Sequence, residues 1–127
     1  LLVVTTPEPT SITDAYAVIK TMHARDARPD TCILVNMVHE VSEGREVFHR
    51  LDEVCRRYLQ LSTRYMGHVM FDPRVALAVR AQKPFLLAAP SCPASLCIDQ
   101  LARRMARHGA SGRAESLWQR LSHWLVG

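Results

Sequence analysis

Three short runs of consecutive β-prone, mostly apolar residues constrain this chain most: Leu1–Thr5 (LLVVT), Thr31–Val38 (TCILVNMV) and Tyr65–Phe71 (YMGHVMF). Successive side chains of a strand point to opposite faces, so a run without polar alternation asks to be covered on both sides. The stretches between the runs carry helical periodicity. Strands separated by helix-length crossovers pair in parallel, as βαβ units with helices packed on the sheet. The expected fold class is therefore α/β, a mainly parallel sheet flanked by helices. Pro84–Ala89 (PFLLAA) reads as a fourth extended segment.

The helical stretches have their own signals. Ser11-Ile12-Thr13-Asp14 has the spacing of a capping box, in which a hydroxyl and a carboxylate satisfy free backbone N–H groups, and Ile12, Ala15, Tyr16, Ile19 and Met22 follow at helical spacing. Ser42 is expected to cap a second helix with Val47, Phe48, Leu51, Val54, Cys55, Tyr58 and Leu59 on one stripe. Asp72-Pro73 marks the start of a short third helix to about Gln82, since proline suits the first helical position after an aspartate cap. Pro93 opens a further helix with Leu96, Cys97, Leu101 and Met105 inward; Arg103, Arg104, Arg107 and His108 lie near its C-terminal end, where cations complement the dipole. Gly109 is the expected residue just past it.

Composition narrows the function classes. A length of 127 residues suits one domain, and 48% hydrophobic against 22% charged residues is an ordinary globular balance. The net charge of +4 is carried almost wholly by arginine, clustered only at Arg56-Arg57 and at Arg103-Arg104-Arg107. Both clusters fall on predicted helices and lack the aromatic platforms of a nucleic-acid surface, so no nucleic-acid partner is expected. Cys32 and Cys55 occupy apolar positions, where free cysteine behaves as a small hydrophobe. Cys92 and Cys97 do not have zinc-site spacing, and a reduced cytoplasmic protein is the expectation. The six histidines show no mutual spacing of ligands. No apolar run reaches the ~18 residues that span a bilayer. The chain opens on Leu1 inside a buried strand, which reads as a fragment of a longer protein.

Four blocks, in order, carry a family resemblance: VVTTPEPTSITDAYAVIK at Val3–Lys20, ILVNMV at Ile33–Val38, EGREVFHRL at Glu43–Leu51 and YMGHVMFDPRVALAVRAQKPF at Tyr65–Phe85; the helix from Ala94 to Met105 continues the match. Together they resemble the C-terminal half of MinD/ParA-type P-loop ATPases, in the branch of the FlhG or FleN flagellar-number regulators. The resemblance implies the C-terminal part of a P-loop NTPase sheet over residues 1–108. It implies ATP with Mg²⁺ as cofactor of the full-length protein, an ATP-dependent homodimer, and a flagellar GTPase or regulator as a further partner. Asn36 matches the adenine-contacting amide, Met37 packs on the base where cousins carry a basic residue, and Phe71 and Asp72 belong to the opposite wall. Met70 departs from the pattern, since MinD-like proteins commonly have proline there. Glu8, Ser11 and Asp14 match positions near the face where two subunits meet, although capping also accounts for Ser11 and Asp14. The K-G-G-x-G-K-[ST] loop and the D-x-A/G-G segment are not in the chain, so no catalytic residue is assigned and this chain alone should not hydrolyse ATP.

The last segment is distinct. Residues 109–113 (GASGR) read as a linker, and 114–127 as an amphipathic helix with Leu117, Trp118, Leu121, Trp124 and Leu125 on its apolar face. This is the pattern of an in-plane membrane anchor, with packing onto the domain as the alternative. Peripheral attachment at the inner face of the cell membrane is what the resemblance implies. The function expected is a switch in which ATP drives dimerisation and membrane attachment and hydrolysis reverses both. The alternatives are a division-site or chromosome-partition ATPase of the same family, or a non-enzymatic α/β interaction module.

Overall fold

The computed structural model describes residues 1–25 and 29–109; the linker beyond Gly109 and the amphipathic segment, with Leu117, Trp118, Leu121, Trp124 and Leu125, lie outside the described residues. Elements follow in the order β1 (Leu2–Thr5), α1 (Pro9–Ala24), β2 (Cys32–Val38), α2 (Val41–Leu59), β3 (Arg64–Met70), α3 (Pro73–Arg80), α4 (Phe85–Ala88) and α5 (Pro93–Gly109). The three strands form one sheet in the order β1-β2-β3, parallel throughout, as their unbroken apolar runs anticipated.

Helices cover both faces. On one side α1 and α2 enclose Val3, Ala15, Ile19, Ile33, Val35, Val38, Val47, Leu51 and Cys55. On the other, α3, α4 and α5 close over Leu34, Val69, Cys92 and Ala94. Leu34 lies between Ile33 and Val35 and faces the opposite layer, so the central strand is buried on both sides. Cys32, Cys55 and Cys92 are buried free thiols; burial, with the nearby Asp52 charge adding to it, pushes the Cys55 thiol up to about 11.

Two bulges interrupt the sheet. Between β2 and β3, Ile33 pairs with Tyr65 but Leu34 pairs with Gly67, so Met66 is an extra residue on β3. Further on, Val35 pairs with His68 and Val38 with Met70, leaving an extra residue on β2 at Asn36-Met37. Each extra residue reverses the in-out alternation of its strand. That is how Val38 returns to the α1/α2 core, and how Tyr65 and His68, three apart, come to share a face.

Several local expectations are corrected. Pro84–Ala89 is not extended: Phe85–Ala88 form a short helix, because Leu87 and Ala88 donate to the Pro84 carbonyl and no strand among the described residues offers a ladder. Helix α1 starts at Pro9, a residue whose fixed φ suits the first turn. Its cap is Glu8, and no side chain caps it, so Ser11 and Asp14 are not a capping box. Ser11 instead accepts the Thr6 N–H at 3.0 Å and meets Thr5 Oγ1 at 3.1 Å, clasping the helix to the end of β1. The cap of α2 is Glu40 rather than Ser42, with Glu43 reaching back to the His39 N–H at 2.7 Å. Tyr58 turns outward beneath the Arg57 guanidinium, 65% exposed. Leu96 and Met105 are also exposed; Ala94, Ser95, Cys97, Ile98 and Leu101 form the inward side of α5.

Candidate functional site

The C-terminal ends of β2 and β3 open into a hollow of about 360 Å³, lined by Asn36, Met37, Met70, Phe71, Asp72, Val75, Ala76, Val79 and Arg80. Strand ends at this edge of an open α/β sheet are where ligands of such folds bind. Every residue expected at the base pocket, Asn36, Met37, Phe71 and Asp72, lines this one hollow. Met70, the departure from the family pattern, is part of its wall.

The bulge on β2 builds the floor. Met37 has φ 59°, a left-handed conformation that costs a non-glycine residue about 1–3 kcal/mol. The Asn36 side chain supports it by accepting the Met37 N–H at 2.9 Å through Oδ1. That bond uses one lone pair of Oδ1, and the amide NH₂ retains its two donors. Met37 is 53% exposed and Phe71 50%, so two large apolar surfaces flank a carboxamide with donors to spare. Phe71 is held by its N–H to the Val38 carbonyl at 2.8 Å and by His39, whose ring lies 5.0 Å from its own at a tilt of 39°.

Asp72 lines the hollow but its carboxylate is committed elsewhere. It accepts the Arg74 N–H at 2.9 Å, as the cap of α3, and both sides of the Arg74 guanidinium at 2.9 and 2.8 Å. These bonds and the Arg74 charge outweigh burial and hold its carboxyl down to about 2. Asp72 therefore starts α3 and aims Val75, Ala76, Val79 and Arg80 at the hollow. Those four are contributors that sequence reasoning missed. Their apolar members recur at helical spacing, a signal that cannot by itself separate a core face from a ligand wall.

A second hollow of about 460 Å³ adjoins the first and shares Met37 and Phe71 with it. Thr6, Pro7, Glu8, Pro9, His39 and Glu43 complete its lining. Glu8 is exposed between its two prolines, and Asp14 is exposed on α1. Ser11 is half-buried and already engaged with Thr5 and Thr6, so of the three residues matched to a subunit face only the two carboxylates are presented to solvent. Among the described residues, no helix is long and apolar enough to cross a membrane.

Comparison with known proteins agrees with this fold. The chain is 37% identical over 105 residues to the antiactivator FleN of Pseudomonas aeruginosa, covering 83% of the chain and 38% of FleN. It is 32% identical over 116 residues to the flagellum site-determining protein YlxH of Helicobacter pylori, covering 91% of the chain and 39% of YlxH. Among solved structures it superimposes on the MinD cell division protein of Aquifex aeolicus with a TM-score of 0.59 at 26% identity, over 83% of the chain and 42% of MinD. The chain thus spans about two fifths of the length of each relative. No family model matches it.

Proposed function

We propose a nucleotide-dependent switch, on the premise that this chain belongs to the MinD/ParA family of P-loop ATPases, in its FlhG branch. The reading is carried by the hollow at the strand ends, where Asn36, Met37, Met70, Phe71 and Val79 combine apolar walls with a single aimed amide. An adenine ring has apolar faces and a hydrogen-bonding edge with one donor and adjacent acceptors. Met37 and Phe71 suit the faces, and the Asn36 NH₂ suits an acceptor on the edge. The residues present fit the base of ATP. Its triphosphate and Mg²⁺ would supply the hydrolysable bond in the full-length protein, and the motifs that hold them in the family are not among these 127 residues.

In this proposal the chain supplies the base-recognition half of the switch. ATP brings two subunits together, with Glu8 and Asp14 at the face between them, and the segment carrying Trp118 and Trp124 attaches the dimer to the membrane. Hydrolysis then reverses both. The names of the relatives, an antiactivator and a flagellum site-determining protein, favour flagellar number and placement as the process governed. Their identities of 37% and 32% exceed the 26% shared with the division protein, which favours the flagellar reading over division-site selection.

The test is adenosine binding to the chain, followed by amide and side-chain NMR. Adenosine should perturb the Asn36 NH₂, Met37 and Phe71, and guanosine should not. Asn36→Ala should weaken the response roughly tenfold, the worth of a hydrogen bond or two. Adenosine shifts that avoid these residues would overturn the assignment of the base site.

A further inference from the structure

Helix α3 carries two arginines, and the fold uses them differently. Arg74, in the first turn, is spent on the Asp72 carboxylate at 2.9 and 2.8 Å. Arg80, in the last turn, lines the base hollow. Among the described residues, no ion pair engages Arg80. Of the two charged residues in the lining, Asp72 is neutralised by Arg74 and Arg80 keeps its charge to offer.

A basic residue at this position ordinarily complements the helix dipole or bonds the last carbonyls. Here the backbone serves those carbonyls itself. Ala81, Lys83 and Gln82 donate their N–H groups to Leu77, Ala78 and Val79, at 3.0 Å each. Gln82 takes φ 53° to close the turn, a left-handed helix end of the common kind. The helix end therefore does not need the guanidinium as a cap. The helix also directs where that side chain runs. Long side chains lean back towards the N-terminus of their helix, over the residue four positions earlier. For Arg80 that residue is Ala76, itself part of the wall, and its single methyl leaves the stem room along the hollow.

The second hollow shares Met37 and Phe71 with the first but no residue of α3, so α3 bounds the base hollow alone. A ring whose faces meet Met37 and Phe71 and whose one edge meets Asn36 has a further edge left for α3. We propose that Arg80 is a specificity-determining residue of the base site, donating to an adenine ring nitrogen that Asn36 does not engage. This rests on the adenine reading of the hollow. Adenine offers acceptors at N1, N3 and N7, and its exocyclic amine is a donor. A guanidinium has donors and no acceptor, so it can meet only the ring nitrogens. Such a bond is charge-assisted and stronger than a neutral one, and the exposure of Arg80 tempers it. Asn36 and Arg80 thus divide the acceptors between them, and a base presenting an N–H towards Arg80 is refused.

The experiment titrates the full chain with adenosine and with its 1-deaza, 3-deaza and 7-deaza analogues, each lacking one ring acceptor, followed by NMR. Arg80→Gln should weaken adenosine binding about fivefold, the worth of one hydrogen bond. One analogue should bind the wild type and Arg80→Gln alike, because it has already lost the acceptor that Arg80 uses. The other two should still show the fivefold loss. Asn36→Ala should be coupled in the same way to a different nitrogen. A role in the helix end alone would weaken all ligands equally, and circular dichroism should show the fold of Arg80→Gln unchanged. Equal losses across the three analogues, or no loss at all, would overturn the proposal and leave the base site standing. Adenosine that leaves Asn36, Met37 and Phe71 unmoved would remove the base reading, and this proposal with it.

Discussion

At the scale of single residues, Asp72 shows how one side chain can shape a hollow while its own carboxylate is engaged by Arg74. Its carboxyl is held at about 2 by Arg74, against an ordinary value of 3.8. The ionised form therefore stabilises the fold above pH 3.8, and that contribution is lost as pH falls from there towards 2. Asp72→Asn should lower the denaturation midpoint at neutral pH and flatten the pH dependence of stability across that window, as an acid titration followed by circular dichroism would show. Met37 presents the opposite case, a residue under backbone strain at an exposed position. Met37→Gly should raise stability by up to ~1 kcal/mol by relieving the left-handed conformation, while weakening adenosine binding through loss of an apolar wall. A thermal melt and the binding titration together check both directions. The sequence placed Asn36, Met37, Phe71 and Asp72 in one site through resemblance alone. It did not show that Asp72 is occupied by Arg74, because two residues of a helix start carry no mark of which acceptor an arginine will choose.

At the scale of elements, two contacts set how α2 and β3 meet. Asp52 on α2 is buried and accepts both the N–H and the hydroxyl of Thr63, at 2.8 and 2.7 Å, just before β3 begins. Burial opposes its ionisation, but the Thr63 bonds and Arg56 outweigh that and hold the carboxyl below its ordinary value. Asp52→Ala strands two buried donors and should cost about 2 kcal/mol in urea unfolding. Arg56→Ala should cost little, since that guanidinium is mostly exposed. Gly44→Ala tests the packing directly: alanine favours helix by about 1 kcal/mol, yet its Cβ collides with Tyr65 and His68. A net loss of up to about 2 kcal/mol is expected, since overpacking costs about 1–3 kcal/mol and propensity returns only about 1. The helices and strands themselves were legible because their periodicities are long. The starts of α1 and α2 were not, since Ser11 and Ser42 bond elsewhere and a hydroxyl near a helix start looks the same in sequence either way. Pro84–Ala89 was misread for a related reason: a short apolar run does not reveal whether a partner strand awaits it.

At the scale of the sheet, β1 is an edge among the described residues, and none of them covers its second face, where Leu2 and Val4 point away from α1. A parallel edge with exposed apolar side chains invites pairing with other chains. The chain should therefore self-associate with rising concentration in sedimentation experiments, and Val4→Lys should suppress this. A monomer at all concentrations would contradict it. The sheet order has a kinetic consequence as well. Every strand pairing joins residues about thirty positions apart, with no hairpin to nucleate on. Closing either crossover costs nearly the same chain entropy, since that cost grows only with the logarithm of loop length. Entropy therefore does not choose which βαβ unit forms first, and burial does. Helix α2 packs on β2, β3 and α1, whereas α1 packs on β1 and α2, so the unit β2-α2-β3 brings more elements together per closure. Its formation should limit refolding, with β1 and α1 docking afterwards onto an already built surface.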